Sequence, residues 1–115
     1  MVVTVEKTVG GKKIPFLYAI RTAHLVCKEL GITSIQDLVM RVSQPSLEDF
    51  AVIAWKGHEN ACFKLNITPS VSSLDEAFDL LDGLEISEAA DLVTAFLSSI
   101  KGDAEGDAKK KGTAT

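Results

Sequence analysis

The sequence predicts a mainly α fold: an N-terminal β-hairpin, then a bundle of four to five short helices, then a disordered C-terminal tail. Three observations predict it. Apolar residues alternate with a period of two up to Tyr18, and from Ile20 onward they recur every three or four positions. Serine or threonine followed by acids precedes the later apolar stripes, the arrangement that opens a helix. Beyond Gly102 the chain is Asp, Ala, Glu, Gly, Lys and Thr, with no large apolar residue to bury. The expected organisation is one hairpin-plus-helices domain over 1–101 and a flexible tail over 102–115.

The hairpin comes first. Val3 and Val5 alternate with Thr4 and Glu6, Gly10-Gly11 marks a tight turn, and Ile14, Phe16 and Tyr18 resume the alternation on one face. Pro15 cannot donate to a ladder and places the second strand at an edge. A lone hairpin is marginal in water, so it must pack on the helices that follow.

Ile20, Ala23, Cys27 and Leu30 form the first helical stripe, closed by Gly31 as a left-handed cap. Thr33 or Ser34 caps the second helix, with Gln36 or Asp37 as box partner and Ile35, Leu38, Val39 and Val42 facing the core. Gln44-Pro45 ends it, because a residue before proline resists helical geometry. Ser46 with Asp49 opens a third helix on the stripe Leu47, Phe50, Ala51 and Ala54, and Gly57 either kinks or ends it or, if the helix continues, costs about 1 kcal/mol relative to alanine. Spacing weakens through Phe63 and Leu65, and Thr68-Pro69 is a break. Ser72 or Ser73 opens helix four, with Leu74, Ala77, Phe78 and Leu81 inward and Gly83 as its stop. Ser87 is the expected cap of helix five, whose stripe is Ala89, Leu92, Val93, Phe96, Leu97 and Ile100.

Composition narrows the function classes. With 115 residues, 46% of them hydrophobic and 24% charged, the chain holds one core and is not wholly disordered. Net charge of −4 argues against non-specific duplex binding. Apolar runs are too short to span a bilayer, and Met1-Val2-Val3-Thr4-Val5-Glu6 lacks the form of a signal peptide. Cys27 and Cys62 are too few for a disulfide framework. The charge is unevenly placed: residues 1–64 carry eight bases and six acids, whereas 65–100 carry seven acids and no base.

Candidate chemistry is sparse. His24, Cys27, His58 and Cys62 match the ligand count of a structural zinc centre, but they lack the short turn spacing of a thiol pair, and Cys27 sits in an apolar stripe. Ser73-Leu74-Asp75 opens an acidic helix as a carrier-protein attachment serine does, yet Ser72 stands where that pattern has Asp, and any helix start favours serine and acids. A helix-turn-helix around Ser43–Ser46 would present Leu47, Glu48, Asp49 and Phe50 to DNA, which is the wrong chemistry. No phosphate loop, nucleophile–base pair or metalloprotease motif is present, so the expectation is a non-enzyme without cofactor, metal or small-molecule substrate.

The order of features carries a resemblance. The hairpin around Gly10-Gly11 leads to Cys27-Lys28-Glu29-Leu30-Gly31 and Ser34-Ile35-Gln36-Asp37-Leu38. Pro45-Ser46-Leu47-Glu48-Asp49 then opens a helix running to Ala54-Trp55-Lys56-Gly57-His58, and an acidic segment at Ser73 to Leu81 and a long amphipathic helix follow. From about Gly10 to Ile100 this succession resembles the tail assembly chaperones of long-tailed bacteriophages, also found in gene transfer agents and prophages. The resemblance implies a protein that binds and solubilises the tape measure protein and helps recruit tail tube subunits. It also implies self-association, residence in the host cytoplasm and absence from the mature virion. Members are often made in two lengths by a ribosomal frameshift. Lys109-Lys110-Lys111 is what an adenine-rich slip site would encode, which marks this chain as a candidate short product. Trp55 is the candidate anchor for a partner, against the alternative of a partly buried core tryptophan beside Phe50 and Ile53. Asp75, Asp79 and Asp82 form the candidate electrostatic contact surface.

Overall fold

A computed structural model describes residues 2–101; the tail, with Lys109-Lys110-Lys111, lies outside the described residues. The fold is mainly α. Strands β1 (Val3–Val9) and β2 (Lys12–Tyr18) form an antiparallel hairpin, followed by α1 (Ile20–Leu30), α2 (Ile35–Ser43), α3 (Leu47–Leu65), α4 (Leu74–Asp82) and α5 (Ile86–Lys101).

Val9 pairs with Lys12 and Val3 with Tyr18, so the loop is Gly10-Gly11 alone. Both glycines take positive φ, 58° and 81°, as a type I′ turn demands and as side-chain-bearing residues resist. The register puts Val3, Val5 and Val9 on one face with Ile14, Phe16 and Tyr18, and that face packs on α3 and α5. Lys7 shares this inward face and reaches out to Asp91 of α5 at 2.8 Å. An inward-pointing charge of this kind discourages edge-to-edge pairing of a strand.

The 19-residue α3 is the axis of the molecule, with β2, α1, α4 and α5 all packed against it. Val52, Ile53 and Ala54 are buried in succession, which shows that α3 is covered on several sides and not along one stripe. No break occurs at Gly57, since α3 runs through it to Leu65. Gly57 instead makes room for a ring: a Cβ there would lie 2.5 Å from the ring of Tyr18. Through that gap the Tyr18 hydroxyl donates to the Ile53 carbonyl at 3.1 Å, and the ring rests against Phe96 at 5.7 Å.

Helix ends follow local chemistry. Ser34, Ser46 and Ser73 accept from the backbone N–H three residues on, and Asp49 returns the bond to the Ser46 N–H, closing the expected box. At α2 only the serine half forms. At α1, Ala19 has no side-chain acceptor to offer, so the box is a half-box in which the Thr22 hydroxyl accepts from the Ala19 N–H. Ser87 is not the cap of α5. It lies inside the first turn, and Glu88 reaches back to the Glu85 N–H at 3.0 Å, moving the cap two positions earlier. Gly31 caps α1 at φ 72° as expected.

Three predicted stripes lose their first residue and keep most of their other core contacts. Ile20, Ile35 and Leu47, each the first residue of its helix, are exposed by 74%, 53% and 70%. The first position of a short helix overhangs the contact that its later turns make, so Thr22, Ala23 and Val26 carry the burial of α1. In α4 Leu74, Ala77 and Leu81 face the core as expected, Leu80 joins them, and Phe78 lies outside.

Candidate functional site

The sequence-marked residues do not form one site. Trp55 is half-buried at the edge of the core, with the Lys56 ammonium 3.8 Å above its ring. Lys56 is itself held by Glu59 at 3.2 Å and Glu29 at 3.8 Å. Asp75, Asp79 and Asp82 are exposed along one side of α4, at i, i+4 and i+7, and have no cationic partner among the described residues. Ser73 spends its hydroxyl on the cap of α4, accepting from the Glu76 N–H at 3.2 Å.

Of the four candidate zinc ligands, His24 and Cys27 lie together on α1, the first exposed and the second half-buried, while His58 and Cys62 lie on α3. His58 is buried, donates from Nδ1 to the Pro15 carbonyl at 3.0 Å, and accepts at Nε2 from the Ser70 N–H at 3.1 Å. A carbonyl only accepts and an amide N–H only donates, so these partners fix a neutral imidazole with its proton on Nδ1. Cys62 lies beside it, Sγ 3.5 Å from Nε2, and burial pushes the Cys62 thiol above its ordinary value, away from the thiolate a metal needs. Among the described residues no three His, Cys, Asp or Glu side chains are grouped to hold a metal ion.

His58 belongs to a network that seals the outer edge of β2. The Leu17 carbonyl accepts from the Thr22 hydroxyl at 2.7 Å and from Asn60 Nδ2 at 3.3 Å, while Asn60 Nδ2 also reaches Thr22 at 2.9 Å. The Pro15 and Leu17 carbonyls, which β1 cannot reach, are thus paired by side chains of α1 and α3. Asn60 Oδ1 is buried without a hydrogen-bond partner among the described residues. Asp49 Oδ1 is likewise buried without a hydrogen bond among the described residues, but it pairs ionically with the Arg41 guanidinium at 3.1 Å, while Oδ2 accepts from Arg41 at 3.2 Å.

What the sequence did not mark is an apolar surface where α1 meets the C-terminal half of α3. Phe63 and Ile67 are exposed by 59% and 51%, and Val2 by 63%, whereas Leu65, exposed by 60%, lies on the side of α3 next to the hairpin. Two hollows of about 350 and 410 Å³ flank Phe63 and share Arg21, Asn60 and Phe63 as their common wall. The first is completed by Leu25, Cys62, Ile67 and Pro69, the second by Val2, Leu17 and Ile20. The Arg21 guanidinium lies 4.0 Å from the Phe63 ring centre. The signal in the sequence was that helical spacing weakens through Phe63 and Leu65. Trp55, Asp75, Asp79 and Asp82 line neither hollow.

Comparison with protein-family models, curated proteins and solved structures finds no match. Among the described residues no helix is long and apolar enough to cross a membrane. The arrangement offers apolar contact area and two separate charged regions. Its buried polar groups serve the fold.

Proposed function

We propose that this chain is a non-catalytic tail assembly chaperone, which binds and solubilises a long apolar helical tape measure protein and helps recruit tail tube subunits around it. It acts in the host cytoplasm, associates with itself along the client, and is absent from the mature virion. The observation that carries this reading is the group of large apolar side chains left in solvent around the two hollows, Val2, Ile20, Phe63 and Ile67, beside a well-filled core. Contiguous exposed apolar surface of this kind marks sites of protein contact. The acid row on α4 gives the complex a solvated, electrostatic second face, and Trp55 at the core edge is a further anchor.

Co-expression with the long helical protein encoded beside this gene tests the reading. The client is expected in the soluble fraction only when this chain is present, and to co-purify with it. A client equally soluble alone would remove the proposal, as would a client insoluble in both cases.

A further inference from the structure

We propose that the outward groove between α1 and α3, astride Phe63, receives an amphipathic helix from another protein that carries carboxylates beside its apolar seam. The inference rests on the client-binding reading above and names the surface and the client chemistry.

The shape argues for a helix. From their shared wall at Arg21 and Phe63 the first hollow extends to Leu25 and Glu59 and the second to Ile20 and Lys64. Five residues at about 1.5 Å each set these outer lining residues about 7 Å apart along α1 and along α3. A guest helix sets its i and i+4 side chains about 6 Å apart along its axis, so consecutive anchors of one seam enter the two hollows with Phe63 between them.

The charge argues for carboxylates. Arg21 and Lys64 line the groove and have no acidic partner among the described residues, whereas Glu59, the acid of the first hollow, is already held by Lys56. A guest with acids beside its seam pairs with Arg21 and Lys64, and a basic guest is repelled. The chain's own segments fit poorly. Residues 102–115 contain no large apolar side chain to fill a hollow. The acidic helix a second copy could offer, α4, turns Ala77 and Leu80 inward and exposes Phe78 as its sole large apolar side chain.

The test uses the full chain and two labelled peptides of about 20 residues, long enough to form a helix. Both carry Leu at i, i+4, i+7 and i+11, one with Glu and the other with Lys at the flanking positions, and binding is read by fluorescence anisotropy. The Glu peptide is expected to bind about tenfold more tightly at low salt, with the gap closing as salt rises. Phe63→Ala weakens it about tenfold, and the double variant Arg21→Glu, Lys64→Glu inverts the preference. All three residues are exposed, and an unchanged circular dichroism melt confirms that the variants fold. Equal affinity for both peptides overturns the inference, as does absence of binding or indifference to Phe63→Ala. So does sedimentation showing a second copy seated in the groove. Groove variants that still solubilise the neighbouring client remove the groove and leave the function standing. Peptides that bind while the client stays insoluble do the reverse.

Discussion

At the scale of residues, the tightest constraint is the pair Gly57 and Tyr18. Glycine in mid-helix sacrifices about 1 kcal/mol of helix propensity relative to alanine. Here it opens a slot that a fully buried phenol fills, with its hydroxyl on the carbonyl of Ile53. Gly57→Ala should therefore destabilise the protein despite its better propensity. Forcing a methyl to 2.5 Å from a ring held on all sides costs about 1–3 kcal/mol through overpacking, so the net loss is about 1–2 kcal/mol, read from the urea midpoint. A variant as stable as the parent would mean that Tyr18 has another place to go. The same burial has an alkaline consequence. It pushes the Tyr18 phenol well above its ordinary 10.0, and the Cys27 and Cys62 thiols above 9.0. The folded state holds these protons where the unfolded chain releases them, so stability is full below about pH 9 and falls as pH rises past 9 and then 10. Tyr18 is the one tyrosine in the sequence, so phenolate absorbance should report its ionisation only on unfolding. Tyr18→Phe should flatten the fall above pH 10, at a cost near pH 7 of about 1 kcal/mol for the lost hydrogen bond.

Elements are held together by polar side chains that no local pattern reveals. His58 and Asn60 lie 43 residues from the β2 carbonyls they satisfy, so their burial reads from sequence as an anomaly and in space as the closure of a strand edge. His58→Leu should destabilise by about 1–3 kcal/mol, because the Pro15 carbonyl and the Ser70 N–H lose their partner. Added zinc or a chelator should leave the melting temperature of the parent unchanged, because both His58 nitrogens are occupied by the fold. A shift of several degrees would restore the metal reading. The hairpin, five helices, Gly31 cap and Ser46–Asp49 box were legible because each rests on residues within a few positions of one another. The continuity of α3 through Gly57, the outward turn of Ile20, Ile35 and Leu47, and the Glu85 cap were not. Those depend on what a distant element places beside the residue. The α1–α3 surface was illegible for the same reason: Phe63 and Ile20 are apolar residues like any others until the fold leaves them outside.

For the whole molecule, separation of charge matters more than its sum. The bases Arg21 and Lys64 stand beside the exposed apolar side chains, while Asp75, Asp79 and Asp82 sit on a helix that lines neither hollow. Two faces of opposite sign can meet different partners, or different stretches of one client, and each should weaken with salt in its own way. Because the three aspartates are exposed and have no ion-pair partner among the described residues, converting them to asparagine should leave the fold's stability within about 0.5 kcal/mol. If the row contacts the client, the triple variant should retain less of the co-purified tape measure protein at low salt. Parent and variant should converge as salt rises, because only the parent has that attraction to lose. A salt titration of the co-expressed complex measures this directly. Identical retention across the whole titration would make the α4 acids a solvated surface and leave client capture to the apolar groove alone.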